Sequence, residues 1–423
     1  MKTRFHWLMM LLNLVLGRGA APAWAEPLEV GKCPHMTVFD YSSYMCMPVA
    51  MEGMPMRMGM VSGNVYLTQA ISEPPRGRSA LYSTSMIMGD FGTSVGSNHY
   101  LNLDLMVTAE KWTVPENGYP LLLQIGERNA QGVPYIDAQH PHSSPIMGLT
   151  WSDTVNLGSH GDYVKFSFAP RGESTDGPIA FMHRPTGVVF PDAPIGHHIG
   201  QDVGHISSTV IAASLQIEKS RFEMSAFNGQ EPNPEKVDLP LGSPQSWAIR
   251  YVREFSPNLA WMISGAYLQD PESTGNSKSF QTRYSSSLYQ SIELAGGWRF
   301  QNALISGLTQ KYDHTEFLAS WGEEFLFRYF QNQFFGRVEV LERTPNELGV
   351  LAASPDAPRW VASLSGGYSR ELARMGGGAF YLGCVMTNVV LPEVFKPAYG
   401  GGGPWSGKLF LRFGGMAMNH FSP

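Results

Sequence analysis

A methionine-rich stretch near the start of the chain carries the clearest chemistry. Residues 51–60 contain five methionines, Met51, Met54, Met56, Met58 and Met60, among glycine, proline and charged residues. Gly and Pro disfavour helix, and few aliphatic side chains accompany the methionines, so the thioethers are expected on a flexible segment and not in a packed core. Thioether sulfur is a soft ligand that favours Cu(I) among common biological metals. The stretch predicts copper binding; a low-complexity segment with incidental methionines is the alternative.

Histidines are concentrated between residues 140 and 205. His140 and His142 flank a proline, which favours an extended backbone and directs both imidazoles to one side. His183, His197 and His198 follow in a long connection that also contains several Pro and Gly residues. Because imidazole is a ligand for copper, these five histidines are predicted to form a second, harder site suited to Cu(II). The alternative is a structural plug, in which His and Asp satisfy backbone groups inside a wide lumen.

A hydrolytic alternative starts from His205 and Ser207. Residues two apart on a strand face the same side, so His205 could act as the base for a Ser207 nucleophile, with Asp202 orienting the imidazole. The arrangement is similar to that of outer-membrane phospholipases and lipid A deacylases. The metal hypothesis itself requires no catalytic step, so the chain is not predicted to be an enzyme on that hypothesis.

The elements that must position these residues read as β-strands. Apolar and polar residues alternate with period two in segments 100–105, 163–168, 221–227 and 360–365. This pattern places one apolar and one polar face on each strand. It is typical of a transmembrane barrel and also of a soluble β-sandwich.

The lengths of the connections favour the barrel. Short turns are predicted at 218–220, 256–258 and around Gln301-Asn302, and long connections at 110–145, 171–205, 229–245, 270–287, 343–358 and 388–404. Alternating short and long connections are typical of barrels with tight periplasmic turns and long outer loops. The predicted fold is an all-β, up-and-down antiparallel transmembrane β-barrel of about 14–16 strands with long loops at one end.

The chain ends predict an exported protein. Residues 1–25 have the charged start, short apolar run and Ala23-Trp24-Ala25 site of a cleaved signal peptide. The domain prediction continues with a flexible Met-rich periplasmic segment over 26–60, a barrel over 61–413 and a short tail over 414–423. Residues 405–413 alternate toward Phe413 and resemble the closing strand of bacterial outer-membrane proteins. Cys33 and Cys46 are predicted either to form a disulfide or to join the methionine ligands.

Aromatic residues and net charge bear on the surroundings of the barrel. Eight aromatic residues near strand ends are predicted to form membrane-interface girdles: Trp112, Tyr119, Trp151, Trp247, Trp261, Tyr267, Trp298 and Trp321. A net charge of −6 gives no basic surface for nucleic acid. Outer-membrane lipid is therefore an expected partner, and nucleic acid is not.

Several motifs resemble a family of bacterial outer-membrane barrels. They are the run over 134–142 that contains His-Pro-His, the Phe-Met-His-Arg-Pro run over 181–185, and segments 193–202, 337–339 and 346–348. The similarity covers most of residues 54–413, but Ser143 stands where that family usually has Asp, so any role of that Asp is missing here. The Met-rich leader resembles that of B-type copper-resistance outer-membrane proteins. The motif resemblance implies an outer-membrane barrel and no particular activity. The resemblance of the leader, which rests on composition, implies copper binding, resistance or transport, with a periplasmic copper protein as a partner; a general porin-like channel is the alternative.

Overall fold

Alternating strands close into a ring in the computed structural model of the chain. The structure describes residues 37–40, 45–48, 57–116, 118–124, 126–128, 133, 136, 144–158, 161–201, 204, 206–232, 237, 239, 241–271, 279–311 and 317–421. Within this part, no helix is long and apolar enough to cross a membrane.

Nineteen strands and two short helices make up the described secondary structure. The first strands are β1 (Thr37–Asp40), β2 (Met45–Pro48), β3 (Arg57–Ser72), β4 (Ser79–Tyr82), β5 (Ser85–Val95), β6 (His99–Val107), β7 (Ile146–Asn156), β8 (Tyr163–Gly172), β9 (Ser207–Ile217) and β10 (Ser220–Asn228). The later strands are β11 (Ser246–Ser256), β12 (Leu259–Gln269), β13 (Phe280–Leu294), β14 (Trp298–Lys311), β15 (Leu318–Tyr329), β16 (Asn332–Arg343), β17 (Arg359–Met375), β18 (Gly378–Val390) and β19 (Trp405–Phe421). The helices are α1 (Glu110–Thr113) and α2 (Lys396–Tyr399), and a single wide turn spans His197–Gln201.

Each barrel strand pairs antiparallel with its neighbours in sequence, and β19 closes the ring against β3. The strands β4 and β5 pair with successive parts of β3 and together fill one position, so the ring has 16 positions. The predicted all-β, up-and-down antiparallel barrel of 14–16 strands is therefore confirmed. Among the described strands, β1 and β2 pair only with each other.

Short turns lie at one end of the barrel and long connections at the other. The predicted turns at 218–220 and 256–258 are present, but Gln301 and Asn302 lie inside β14, and the turn precedes them at Ala295–Gly297. The predicted turn was wrong because alternation continues through these polar residues, with Gln301 facing the lumen. The connection predicted over 270–287 is shorter, since β13 already begins at Phe280.

Side chains alternate between lumen and exterior as strand geometry requires. On β19, Phe410 is 1% exposed and faces the lumen, whereas the neighbouring Leu409 is 57% exposed. Ser, Thr, Gln, Arg and Glu occupy many lumen positions, and the exposed outer wall is rich in Leu, Ile, Phe and Trp. A polar interior with an apolar exterior is the arrangement of a barrel whose outer wall contacts lipid.

The outer wall also carries rings of aromatic contacts. Near the loop end, Trp247 stacks on Tyr267 at 6.3 Å between ring centroids, and near the turn end Trp298 stacks on Tyr329 at 4.6 Å. Two of the predicted girdle residues lie elsewhere. Trp112 belongs to α1 in a loop, and Tyr119 packs in the loop interior against Tyr82, where its hydroxyl donates to Glu110.

The barrel extends beyond both predicted boundaries. It begins at Arg57 and not at residue 61, and β19 continues past Phe413 to Phe421, where the prediction placed a tail. The reason is mutual pairing, because residues 57–64 of β3 form a ladder with residues 414–421 of β19. The rest of the leader and the signal peptide lie mostly outside the described residues and stay predictions.

Candidate functional site

The long connection between β8 and β9 folds into the lumen. Its first part is fixed to β10, β12 and β13: Thr175 N–H donates to Ser225 Oγ at 3.0 Å, Gly177 N–H to Ser264 Oγ at 3.0 Å, and Ile179 N–H to Tyr289 Oη at 3.0 Å. These acceptors lie on lumen faces, because each is a buried position of an alternating strand. We call residues 173–206 the inserted segment.

A buried charge hub holds the middle of the inserted segment. Arg184 donates to both carboxylate oxygens of Glu324 on β15, at 2.8 and 3.0 Å, and Thr186 Oγ1 donates to the same carboxylate at 2.9 Å. Arg337 on β16 adds a third cationic contact at 3.1 Å. Arg184 is fully buried, and Glu324 and Arg337 are each 2% exposed. Bidentate, charge-assisted bonds of this kind fix orientation, and removing one partner would leave an uncompensated buried charge.

The last part of the inserted segment is tied to β16 and β19. Lys408 Nζ lies 2.6 Å from Asp192 Oδ1, and Arg343 donates to the carbonyl oxygen of Ile195 at 2.5 Å. Gly196 N–H donates to Glu339 at 3.1 Å. The anchoring strands run from β10 through β19 in the ring order, so the segment is attached around more than half of the lumen wall.

The segment then passes directly over the backbone of β14. Gly200 has a φ of +71°, and a Cβ at this residue would lie 2.4 Å from Gly307 Cα. Ser320 Oγ donates to the carbonyl oxygen of the preceding Ile199. Glycine is required at residue 200 by both its positive φ and the close backbone contact.

An acidic side chain of the segment is also paired with the wall. Asp176 accepts a hydrogen bond from Arg283 of β13 at 3.1 Å. Burial raises the pKa of Asp176, and the Arg283 guanidinium opposes that rise. The pair adds a further attachment of the inserted segment to β13.

A second loop contributes a buried carboxylate at the loop end of the lumen. Glu127 accepts hydrogen bonds from Leu123 N–H at 2.9 Å and from the Tyr399 hydroxyl of α2 at 3.2 Å, and Arg76 lies 3.7 Å away. Glu127 is 1% exposed. Burial raises the pKa of Glu127 to about 7, with Arg76 acting in the opposite direction. The loops 108–145 and 391–404 are thus joined through one titratable group.

A cavity remains between the inserted segment and the wall formed by β3, β5 and β7. The volume within it that the centre of a water molecule can reach is about 90 Å³. It is lined by apolar residues that include Met86, Met147, Met182 and Phe190, with Asp192 and His197 among its polar residues. The part of the lumen beside the inserted segment is therefore a cavity with mixed apolar and polar walls.

The predicted histidine ligands divide between described and undescribed parts of the chain. His183 Nε2 lies 2.8 Å from Glu173, and His198 Nδ1 lies 3.3 Å from Glu231. The ring of His197 stacks on that of His198 at 4.6 Å between centroids. His140 and His142 lie outside the described residues. No group of three or more His, Cys, Asp or Glu side chains that could hold a metal occurs among the described residues.

The predicted methionine ligands also divide. Met58 and Met60 are buried on the lumen face of β3, each 2% exposed, and so belong to the barrel wall and not to a flexible leader. Met51, Met54 and Met56 lie outside the described residues, as does Cys33. Copper binding by the leader stays a prediction.

Of the three residues in the hydrolytic alternative, the structure describes only Ser207. Ser207 begins β9, is 5% exposed and lies opposite Gly172 in the strand register. His205 and Asp202 lie outside the described residues. The nucleophile hypothesis for Ser207 is therefore untested.

Sequence reasoning missed the residues that hold the inserted segment. The predicted site residues did not include Glu324, Arg337 or Lys408. A charged residue within an alternating strand can nevertheless indicate such a buried ion pair. A charge on the buried face of a strand is costly unless it is paired. Identifying the partner needed the structure, because Arg184 and Glu324 are 140 residues apart.

Comparisons with known proteins find distant structural similarity only. No protein-family model matches the chain, and no curated protein matches it. Similar solved structures include a loop-deletion mutant of OmpT, an outer membrane protein of Vibrio cholerae, with a TM-score of 0.49 and 8% identity, covering 85% of this chain and 99% of that one. An anion-selective porin from Comamonas acidovorans has a TM-score of 0.48 and 12% identity, and the match covers 85% of this chain and 99% of the porin. Pseudomonas putida OprB has a TM-score of 0.46 and 10% identity, and the match covers 85% of this chain and 94% of OprB. The fold assignment rests on the strand pairing of this chain itself, and the resemblance to copper-resistance proteins stays a prediction.

Proposed function

We propose that the protein is a bacterial outer-membrane channel whose lumen is narrowed by the inserted segment, residues 173–206. The observation that supports this function is the attachment of the segment to lumen-facing residues from β10 through β19. A barrel of this size has a lumen wide enough for water or small solutes. The anchors then make the passage selective by size and by the polar groups that remain along the wall.

Single-channel conductance in a planar bilayer tests this proposal. Gly172 and Ser207 face each other in the strand register, so a short Gly-Ser linker can replace residues 174–205 without moving β8 or β9. The shortened variant is expected to conduct several-fold better than wild type because the obstruction is gone. Glu324→Gln is expected to give intermediate or fluctuating currents, since it leaves Arg184 and Arg337 without their carboxylate.

The matched control is Glu293→Gln, whose carboxylate is largely exposed and pairs with Arg299 at 3.3 Å. An exposed pair of this kind contributes little, so its conductance should equal that of wild type. A shortened variant that folds but conducts no better than wild type would show that the inserted segment does not limit the passage.

Copper handling is a second candidate, and the lumen-facing Met58 and Met60 favour it. The methionine-rich leader continues without interruption into β3, so thioethers of the leader and of the wall belong to one stretch of chain. In this mechanism the leader methionines would capture Cu(I) by ligand exchange, the histidine-rich loops would offer a harder site, and a periplasmic copper protein would be the partner.

Copper titration of the purified full chain tests the second candidate. Replacing the leader residues Met51, Met54 and Met56 by Leu is expected to lower the number of Cu(I) ions bound per chain, because Leu keeps the volume but removes the sulfur. Replacing the exposed Met224 and Met386 of the outer wall by Leu is the control. An unchanged stoichiometry in this three-residue variant would remove leader capture as a function.

A further inference from the structure

Methionines cluster on one sector of the lumen wall. Met88 of β5 and Met106 of β6 occupy directly opposed positions in the strand register. Met86 and Met147 are buried beside them, and Met182 of the inserted segment packs against the same cluster. Lumen positions of transmembrane barrels are usually polar. A group of thioethers from three strands and the inserted segment is therefore unusual for the lumen of such a barrel, and a binding function would explain it.

The cluster continues toward the turn end through β3. Met60 is paired with Asp90 of β5, which places Met60 diagonal to Met88, and Met58 lies two residues further on the same face. Diagonal neighbours of this kind are roughly 7–8 Å apart at the backbone, a distance that long side chains can bridge. The backbone partners of Met58 and Met60 on β19 are residues 420 and 418. The thioethers thus follow the wall from the turn end to the cavity.

Two carboxylates lie within this group. Asp90 and Asp104 are directly opposed in the register of β5 and β6, and Asn102 Nδ2 donates to Asp90 Oδ2 at 3.1 Å and to Asp104 Oδ1 at 3.0 Å. Asp90 is 2% exposed, its carboxyl group lies within hydrogen-bonding reach of that of Asp104, and no other described residue donates to its Oδ1. Two ionised carboxylates this close repel each other, so a bound cation would stabilise the ionised pair.

We propose that Met60, Met88 and Met106, together with the carboxylates of Asp90 and Asp104, bind a soft monovalent cation, Cu(I) or Ag(I), on the lumen wall. Thioethers select soft metals but bring no charge, and the adjacent carboxylates balance the charge of the ion. The site deepens the copper candidate for function, and it requires neither the leader methionines nor a conducting lumen. The competing account is a dry methionine packing cluster beside two carboxyl groups that share a proton.

Silver titration calorimetry on the full-length protein in detergent tests the site. All samples carry Met51→Leu, Met54→Leu and Met56→Leu, so that the leader does not contribute. The further variant Met60→Leu/Met88→Leu/Met106→Leu is expected to lose a high-affinity Ag⁺, and Asp90→Asn to weaken binding roughly tenfold, as loss of a supporting group near a metal does. Met262→Leu is the matched control, because Met262 is a buried lumen-facing methionine on β12, well separated around the ring.

The outcomes separate the two accounts. Loss of binding in the triple variant with retention in Met262→Leu supports the site, as does Ag⁺ binding that Na⁺ and Ca²⁺ do not displace. Equal Ag⁺ binding in the triple variant and the control overturns it, and so does displacement by the hard ions. If the triple variant does not fold, as judged by heat-modifiable electrophoretic mobility, the single variants Met88→Leu and Met106→Leu make the same comparison. Failure here leaves both the leader titration and the conductance measurement unaffected, so this site and the two functional candidates fail separately.

Discussion

At the residue scale, Glu127 is a titratable group that links the loop end of the barrel to solution pH. Its carboxylate is buried between Leu123, Arg76 and Tyr399, and burial raises its pKa to about 7. An unfolded glutamate titrates at about 4.3, so the folded state holds an extra proton between these two values. The contribution of protonated Glu127 to the free energy of unfolding is therefore complete below about pH 4.3, and it is lost as the pH rises toward 7.

Thermal unfolding measured as a function of pH checks this prediction. Relative to Glu127→Gln, which cannot ionise, wild type is expected to lose stability between about pH 4.3 and 7 and to change little above 7. The control is Glu116→Gln in the same loop, which removes one carboxylate while leaving Glu127 in place. Parallel pH profiles for wild type and Glu127→Gln would refute the assigned role of this carboxylate.

At the element scale, the strands were predictable because alternation is a local property. Tyr100–Leu105 and Phe222–Phe227 alternate in the sequence and alternate between lumen and exterior in the structure. Alternation alone did not locate every turn. Asn302 suggested a turn, yet its Nδ2 donates to Glu323 on the neighbouring strand at 3.0 Å, so the polar residue is satisfied inside the sheet.

The inserted segment could not be predicted from the sequence in the same way. Its length and its Pro and Gly content suggested a structural plug as one alternative. The path of the segment through the lumen, however, depends on pairs such as Lys408 with Asp192, which are 216 residues apart. The histidines illustrate the same limit. His183 and His198 have acidic neighbours, Glu173 and Glu231, in the described part of the chain, and the spacing of histidines alone did not predict those carboxylates.

The start of the barrel was misplaced for a different physical reason. Met58 and Met60 belong to a composition that suggested a flexible leader, and methionine has no strong preference for strands. Pairing with β19 imposes the strand conformation on both residues. Such a tertiary override of local preference is expected where a ring must close between the two ends of the chain.

At the scale of the whole molecule, contact between the outer wall and lipid would make charged substitutions on that wall destabilising. Leu67, Leu411 and Leu382 occupy adjacent outward positions across β3, β19 and β18, and they are 39–50% exposed to the exterior. A charged side chain at such a position must be removed from water when the barrel inserts. Leu411→Arg is expected to lower the free energy of unfolding from lipid vesicles by about 2–4 kcal/mol if residue 411 lies near the bilayer midplane, and by less toward an interface.

The same substitution in a loop provides the control. Leu351 lies in the connection between β16 and β17 and is fully exposed, so Leu351→Arg should leave the free energy of unfolding unchanged within error. Urea titration of both variants in vesicles, followed by tryptophan fluorescence, measures the difference. If both substitutions are equally neutral and the mature chain stays in solution without detergent, the outer wall does not face lipid. The channel proposal would then fail, whereas the thioether site on the inner wall could still be tested.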